Sequence, residues 1–276
     1  MASNLPTRQF EFNYIYIVDS LGADELQTAS DLYNDIVRWR LMRIGFVQCE
    51  QIHVFDKQQF LALLATIIAK VRSGGHFPFI HLEIHGCKEG LGLQSGELVT
   101  WEDLTKSLRE INILLRNNLF LSMATCYSGY IIGEILPSQP APFFACIATW
   151  EELSGDDIMT SFQSFFDFIL SVKPPQRINM NEAVEILNGS SERPWRYYFY
   201  NSELLFERIF SEYEKDLWDQ RKFSMRVKDM VAQVFASGKR IIKSKNQIRR
   251  EIEERLIRDR HQQKEGFRRR FLMLDA

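Results

Sequence analysis

The stretch PFIHLEIHGCKEG, residues 78–90, runs through four or five apolar positions into His85-Gly86 and then dissolves into glycine and charge. An apolar run of this length, bounded by a glycine-containing turn, reads as a strand buried on both faces, as in a parallel sheet. A histidine at the end of such a strand raises a chemical question. In open parallel sheets, loops and helix N-termini converge at the carboxyl ends of the strands, and reactive groups collect there. Taken alone, however, His85 reads as an ordinary structural histidine.

Working outward, apolar runs alternate with helical patterns. FNYIYIVDS (12–20) and FVQCEQIHVF (46–55) read as strands, separated by a helical pattern over 23–42. Residues 56–73 read as a helix opened by an Asp56 cap and closed before Gly74-Gly75. GLGLQSGELV reads as a small hairpin, and Thr100 to Asp103 has capping-box spacing for a helix to about Arg116. NLFLSMATC (118–126) and PFFACIATW (142–150) are further strands, followed by a helix over 156–171. After a Pro174-Pro175 break come a short helix (180–189) and a last strand, RYYFY (196–200). This order predicts an α/β fold with a mostly parallel central sheet covered on both faces. Beyond about Asn201 the pattern turns charged and helical, with Gly238 the obvious break before Gly266. The predicted division is an α/β domain over 1–205 and a basic α-helical extension over 206–276.

The 276 residues, 45% hydrophobic and 25% charged, have an ordinary globular composition. No apolar run reaches the length of a membrane helix, and MASNLPTRQFEF lacks the basic-then-apolar order of a signal peptide, so a cytoplasmic protein is expected. Cys49, Cys87, Cys126 and Cys146 form no CxxC pair and read as thiols in a reducing compartment. The formal charge of −2 hides an asymmetry. After Arg221 basic residues outnumber acidic ones more than two to one, and the acidic excess lies in the body. That split is read as solvated helix faces, or a tail folding back on its acidic body, ahead of nucleic acid or an anionic surface.

A second strand end changes the weight of the first. FLSMATCYSG places Cys126 at the end of an apolar run, with room between it and His85 for one loop, one helix and one returning strand. A right-handed crossover sets two such strands side by side or one strand apart, bringing both residues to one sheet edge. A thiol with pKa about 8.5 is mostly protonated near neutrality, and a nearby imidazole can take its proton during attack. The N–H groups of Gly86 and Cys126 are candidate oxyanion donors, and Cys126-Tyr-Ser-Gly129 leads into IIGEIL (131–136), which reads as a helix start and would add its dipole near the sulfur.

These blocks resemble the caspase-like cysteine peptidases, the clan of caspases, metacaspases, separase, legumain and bacterial CHAT proteases. That clan is marked by one apolar strand ending in His-Gly and a later one ending in Cys. FIHLEIHG and LFLSMATCYSG look like those two blocks; SGELVTWEDL and APFFACIATWEELSGDDIMTSFQSFFDFIL look like the intervening and following parts. The resemblance spans about residues 12–200. It implies a three-layer α/β/α sandwich with His85 as general base, Cys126 as nucleophile, and Gly86 and Cys126 as backbone oxyanion donors. It further implies a protein substrate and no metal or organic cofactor, and by analogy with bacterial relatives a role in antiviral defence or regulated cell death. The chain departs from the family pattern at Thr125, where many relatives have Ala, and at Tyr127-Ser128-Gly129. It also lacks an acid before the nucleophile and the arginines that hold aspartate in true caspases, so cleavage preference is unassigned. Asp156 and Asp157, after the fifth strand, are candidate pocket residues, although Ser154-Gly155-Asp156-Asp157 reads more readily as a helix cap. Glu97 and Trp101 are candidates for bordering the cleft.

Other chemistries fit less well. His81, Glu83 and His85 alternate on one strand face with Cys87 beyond, but a structural zinc normally draws on two separated ligand pairs and no second pair is evident. IVDSLGADE has a single glycine and neither nucleotide-binding motif. The basic tail has sparse aromatics and no nucleic-acid motif, which favours a regulatory or activating protein partner over nucleic acid. The alternative to an active peptidase is a caspase-like scaffold whose helical C-terminus binds a protein or nucleic-acid partner.

Overall fold

A computed structural model describes residues 10–172, 178–189, 196–237 and 243–275. Pro174-Pro175 and Gly238, read above as breaks, lie outside them. The chain divides into two compact units, residues 1–135 with 141–202, and residues 136–140 with 203–276.

The first unit is built on six strands. They are β1 (Tyr14–Asp19), β2 (Gln48–His53), β3 (Pro78–Glu83), β7 (Phe120–Met123), β8 (Ala145–Thr149) and β9 (Tyr197–Asn201), with β4 to β6 in a separate small sheet. Their order is β2-β1-β3-β7-β8-β9, with every pairing parallel except the last, where β9 runs antiparallel to β8. The continuous burial of β1, β3, β7 and β8 follows from cover on both faces. Ile15, Ile17, Phe79, Phe120, Ala145 and Ile147 point to one face, into a core with Phe162, Phe165, Phe166 and Ile169 of α5 (Gly155–Ile169) and Leu187 of α6 (Met180–Gly189). The alternate residues Tyr16, Val18, Ile80, Leu82, Leu121 and Met123 are equally buried. Right-handed crossovers assign α3 (Lys57–Arg72) and α4 (Trp101–Leu114) to that second face, because β2→β3 and β3→β7 both step the same way across the sheet.

Local chemistry sets several boundaries. Asp56 caps α3 through Gln59 N–H, Thr100 caps α4 through Asp103 N–H, and Ser154 caps α5 through Asp157 N–H. The first helical stretch differs from expectation. It begins at Thr28 rather than at 23, as α1 (Thr28–Asp31), a π-helical stretch over Leu32–Val37, and α2 (Arg38–Ile44), which Gly45 ends in the left-handed conformation at φ 76°. Residues 20–27 are therefore a loop at the carboxyl edge of β1.

The second unit contains most of α7 (Ser202–Leu217), then α8 (Gln220–Ala236), α9 (Lys245–Arg258) and α10 (Arg260–Phe271). Of the two glycines read as breaks, only Gly266 falls among the described residues, and it is not one. Asp219 caps α8, Ser244 and Gln247 form a reciprocal capping box for α9, and Gly266 lies inside α10. Phe206 and Phe210 pack with Phe267 and Phe271, and Val227, Val231 and Ile248 form a second small core. Many of its basic side chains are paired within the unit: Arg260 with Glu214 at 2.7 Å, Lys264 with Glu207 at 2.6 Å, Lys243 with Glu251 at 2.6 Å and Arg249 with Glu253 at 2.9 Å. Among the described residues, no helix is long and apolar enough to cross a membrane.

Candidate active site

The strand carrying His85 is shorter than its apolar run. In the main sheet β3 stops at Glu83, and His85-Gly86 forms β4, which pairs antiparallel with β5 (Gly90–Gly92), itself paired with β6 (Leu98–Thr100). The predicted hairpin thus captures His85 rather than merely following it. Cys87 N–H donates to Gly90 O at 2.9 Å, and the alternation of an antiparallel ladder then turns Gly86 N–H away from β5.

Cys126 also lies beyond its strand. β7 ends at Met123, and Ala124 N–H continues the ladder to Leu82 O at 2.9 Å. Leu82 is paired with Met123, so His85 and Cys126 are each the third residue beyond one paired position of two adjacent parallel strands. Gly86 closes the gap between them. A Cβ built on it would stand 2.0 Å from the Cys126 carbonyl oxygen and 2.5 Å from the Thr125 methyl, so only glycine fits.

Directly after Cys126 the backbone is strained. Tyr127 has φ 55°, the left-handed region that few side-chain-bearing residues enter. A 3-10 helix over Ser128–Glu134 follows, in place of the expected α-helix start. Strain of this kind costs about 1–3 kcal/mol and persists only where surroundings over-determine it. Here the loop after β8 does so. Tyr127 N–H donates to Glu151 O at 3.1 Å, Tyr127 OH to Glu152 at 3.0 Å, and Gly129 lies flat on Trp150, where a Cβ would meet the indole at 2.6 Å. The same loop reaches the sulfur, because Leu153 N–H donates to Cys126 Sγ at 3.2 Å. Cys126 N–H itself has no hydrogen-bond partner among the described residues.

The other thiols differ. Burial pushes Cys49 up to about 12 and raises fully buried Cys146 well above its usual range, which makes both inert. Cys87 is half-buried against Gly90 O.

His85 is 59% exposed, and its Nε2 meets Glu25 Oε1 at 2.7 Å. No hydrogen bond joins His85 to Cys126 among the described residues; dyads without substrate are often looser than hydrogen-bonding range. Glu25 escaped the sequence reading because the helical pattern over 23–42 absorbed it. The signal that could have found it is its place in a glycine-containing loop directly after β1, at the edge where ligands gather.

The remaining candidates are occupied in other ways. Asp157 accepts from Ser154 Oγ at 2.6 Å and pairs with buried Arg196. Glu97 accepts from Lys57 N–H and Ser95 Oγ, both at 3.1 Å, tying the β5–β6 turn to the start of α3. Asp156 is exposed on the first turn of α5, and Trp101 is buried with its indole donating to Lys88 O at 3.1 Å. His81 and Glu83 form a buried network instead of a metal face. His81 Nδ1 meets Ser122 Oγ at 2.8 Å, its Nε2 meets Glu83 Oε1 at 2.9 Å, and Thr28 donates to the other Glu83 oxygen. The sequence Ser122, His81, Glu83 has the order of a hydrolase triad, but with all three buried no substrate reaches it. At the ends of β1 and β2, Asp19 holds His53 Nδ1 at 2.6 Å.

Neither a protein-family model nor a curated protein sequence matches the chain.

Proposed function

We propose that the α/β unit is a cysteine endopeptidase of the caspase-like, CHAT-related type. The observation that carries this reading is that His85 and Cys126 each follow paired Leu82 and Met123 by three residues, with Gly86 packed on the Cys126 carbonyl. Leu153 N–H on the sulfur adds support.

In the reaction so assigned, Cys126 Sγ adds to the scissile carbonyl carbon as its proton passes to His85. The N–H groups of Gly86 and Cys126 hold the resulting oxyanion. The C–N bond then breaks with His85 returning the proton to the leaving amine, and water hydrolyses the thioester. Each carboxylate retained by structural contacts, Glu97 and Asp157, is left out of substrate recognition. Cleavage of one dedicated partner protein, in antiviral defence or regulated death, rests on analogy with the family.

The test is the rate of Cys126 alkylation by iodoacetamide, read by mass spectrometry near neutral pH, beside cleavage of a denatured protein mixture. Cys126 is expected to react ahead of Cys49 and Cys146. His85→Ala is expected to lower cleavage about 100-fold or more, the scale of a general base. Equal products from wild type and Cys126→Ala, or a Cys126 no more reactive than a free thiol, would replace the peptidase with the scaffold reading.

A further inference from the structure

Resting on the peptidase reading, we infer that Glu25 is the positioning residue of the dyad: it ties His85 Nε2, fixes the imidazole tautomer and leaves Nδ1 as the nitrogen that takes the Cys126 proton. An ionised carboxylate only accepts hydrogen bonds, so the 2.7 Å contact of Glu25 Oε1 with His85 Nε2 requires the proton on Nε2. Neutral imidazole then carries its lone pair on Nδ1, which has no hydrogen-bond partner among the described residues.

The loop is built to hold that carboxylate. Glu25 Oε2 accepts Gly22 N–H at 2.5 Å, and Glu25 N–H returns a bond to Gly22 O at 3.1 Å. Gln27 Nε2 braces the turn through Gly22 O at 2.7 Å and Glu25 O at 3.0 Å. Gly22 N–H, and then His85, hold the Glu25 carboxyl below its usual range, so it is ionised at neutral pH. The histidine is anchored from the other side as well, because β4 pairs His85 with Gly92. A flexible exposed imidazole would otherwise sample both tautomers and several rotamers, and tying one nitrogen removes that freedom.

The experiment uses the full chain. Histidine-15N NMR reads the tautomer of His85, assigned by its loss in His85→Ala, while iodoacetamide reads Cys126 in wild type, Glu25→Ala, Glu25→Gln and His85→Ala. Wild type is expected to show the Nε2–H tautomer. Glu25→Ala is expected to mix the tautomers and slow Cys126 alkylation roughly three- to tenfold, the range for an exposed charge-assisted contact. Glu25→Gln keeps an acceptor oxygen and is expected to recover part of the rate. Unchanged circular dichroism and melting temperature across the variants separate these effects from unfolding. If His85→Ala slows Cys126 but Glu25→Ala changes neither tautomer nor rate, the positioning role is overturned and the peptidase reading stands. An accelerated Glu25→Ala equally overturns it, since Glu25 would then be sequestering the base. If His85→Ala itself leaves the Cys126 rate unaltered, the peptidase reading falls, and the role of Glu25 with it.

Discussion

At the scale of single residues, Gly86 carries the sharpest constraint. Its Cβ position is filled by the Cys126 carbonyl at 2.0 Å, and the obstruction is backbone, which cannot swing aside. Gly86→Ala is therefore expected to push the two strand ends apart, losing the reactivity proposed for Cys126 and lowering the urea midpoint. A variant that alkylates and unfolds like wild type would show that the contact is not structural. His53 offers a different test. Its hydrogen bond to Asp19 raises the imidazole above its usual value against the opposing effect of burial. A raised folded value means that the pair's contribution is complete below about pH 6.5 and is lost as pH rises through the folded value. Wild type should therefore exceed His53→Gln in urea midpoint near pH 5.5 and converge on it toward pH 9. His85-Gly86 and Cys126 were singled out in sequence because each ends an apolar run, with glycine next to the histidine and three residues after the cysteine. Glu25 and Leu153 were not, since one contributes across a loop and the other through a backbone N–H that every residue type possesses.

At the scale of elements, β3 carries a polar pair inside an apolar sheet. His81 and Glu83 are 0% and 2% exposed, and Phe162 and Phe166 pack on the imidazole at 4.6 and 5.1 Å between ring centres. Removing one partner of a buried hydrogen bond leaves the other unsatisfied, at about 1–3 kcal/mol. His81→Leu is expected to destabilise on that scale in urea denaturation, while His81→Leu with Glu83→Leu recovers part of the loss. A single change as mild as the double one would mean that the network is dispensable. Ser154→Ala should cost about 1 kcal/mol by freeing Asp157 N–H at the start of α5. The caps at Asp56, Thr100 and Ser154 were readable because an N-cap acts through residues two or three positions away. The late start of the first helix was not. Helical periodicity in 23–27 competes with loop bonds among Gly22, Glu25 and Gln27, and the tertiary partner His85 favours the loop.

At the scale of the whole molecule, part of the tail's basic excess is held against carboxylates of its own unit, which leaves the net charge unchanged but engages those cations. Arg260, Lys264, Lys243 and Arg249 each meet a carboxylate of the second unit, and Arg260 also lies 5.1 Å over Trp218. Nucleic-acid binding draws on unpaired cations and counterion release. The protein is therefore expected to show no saturable binding to short single-stranded DNA or RNA at about 0.15 M salt, where exposed charges are screened beyond roughly 8 Å. Saturable anisotropy changes at that salt would restore the nucleic-acid alternative. Local patterns in the sequence determined the alternation of strands and helices, the parallel character of the buried strands and the helical nature of the last 75 or so residues, because periodicity and capping act over a few positions. Only the tertiary structure decided that β3 and β7 are neighbours, that His85 leaves the main sheet for a hairpin, and that Glu25 and Leu153 reach His85 Nε2 and Cys126 Sγ. Those outcomes depend on pairing between segments distant in sequence and on close approaches, as at Gly86, that no local pattern records.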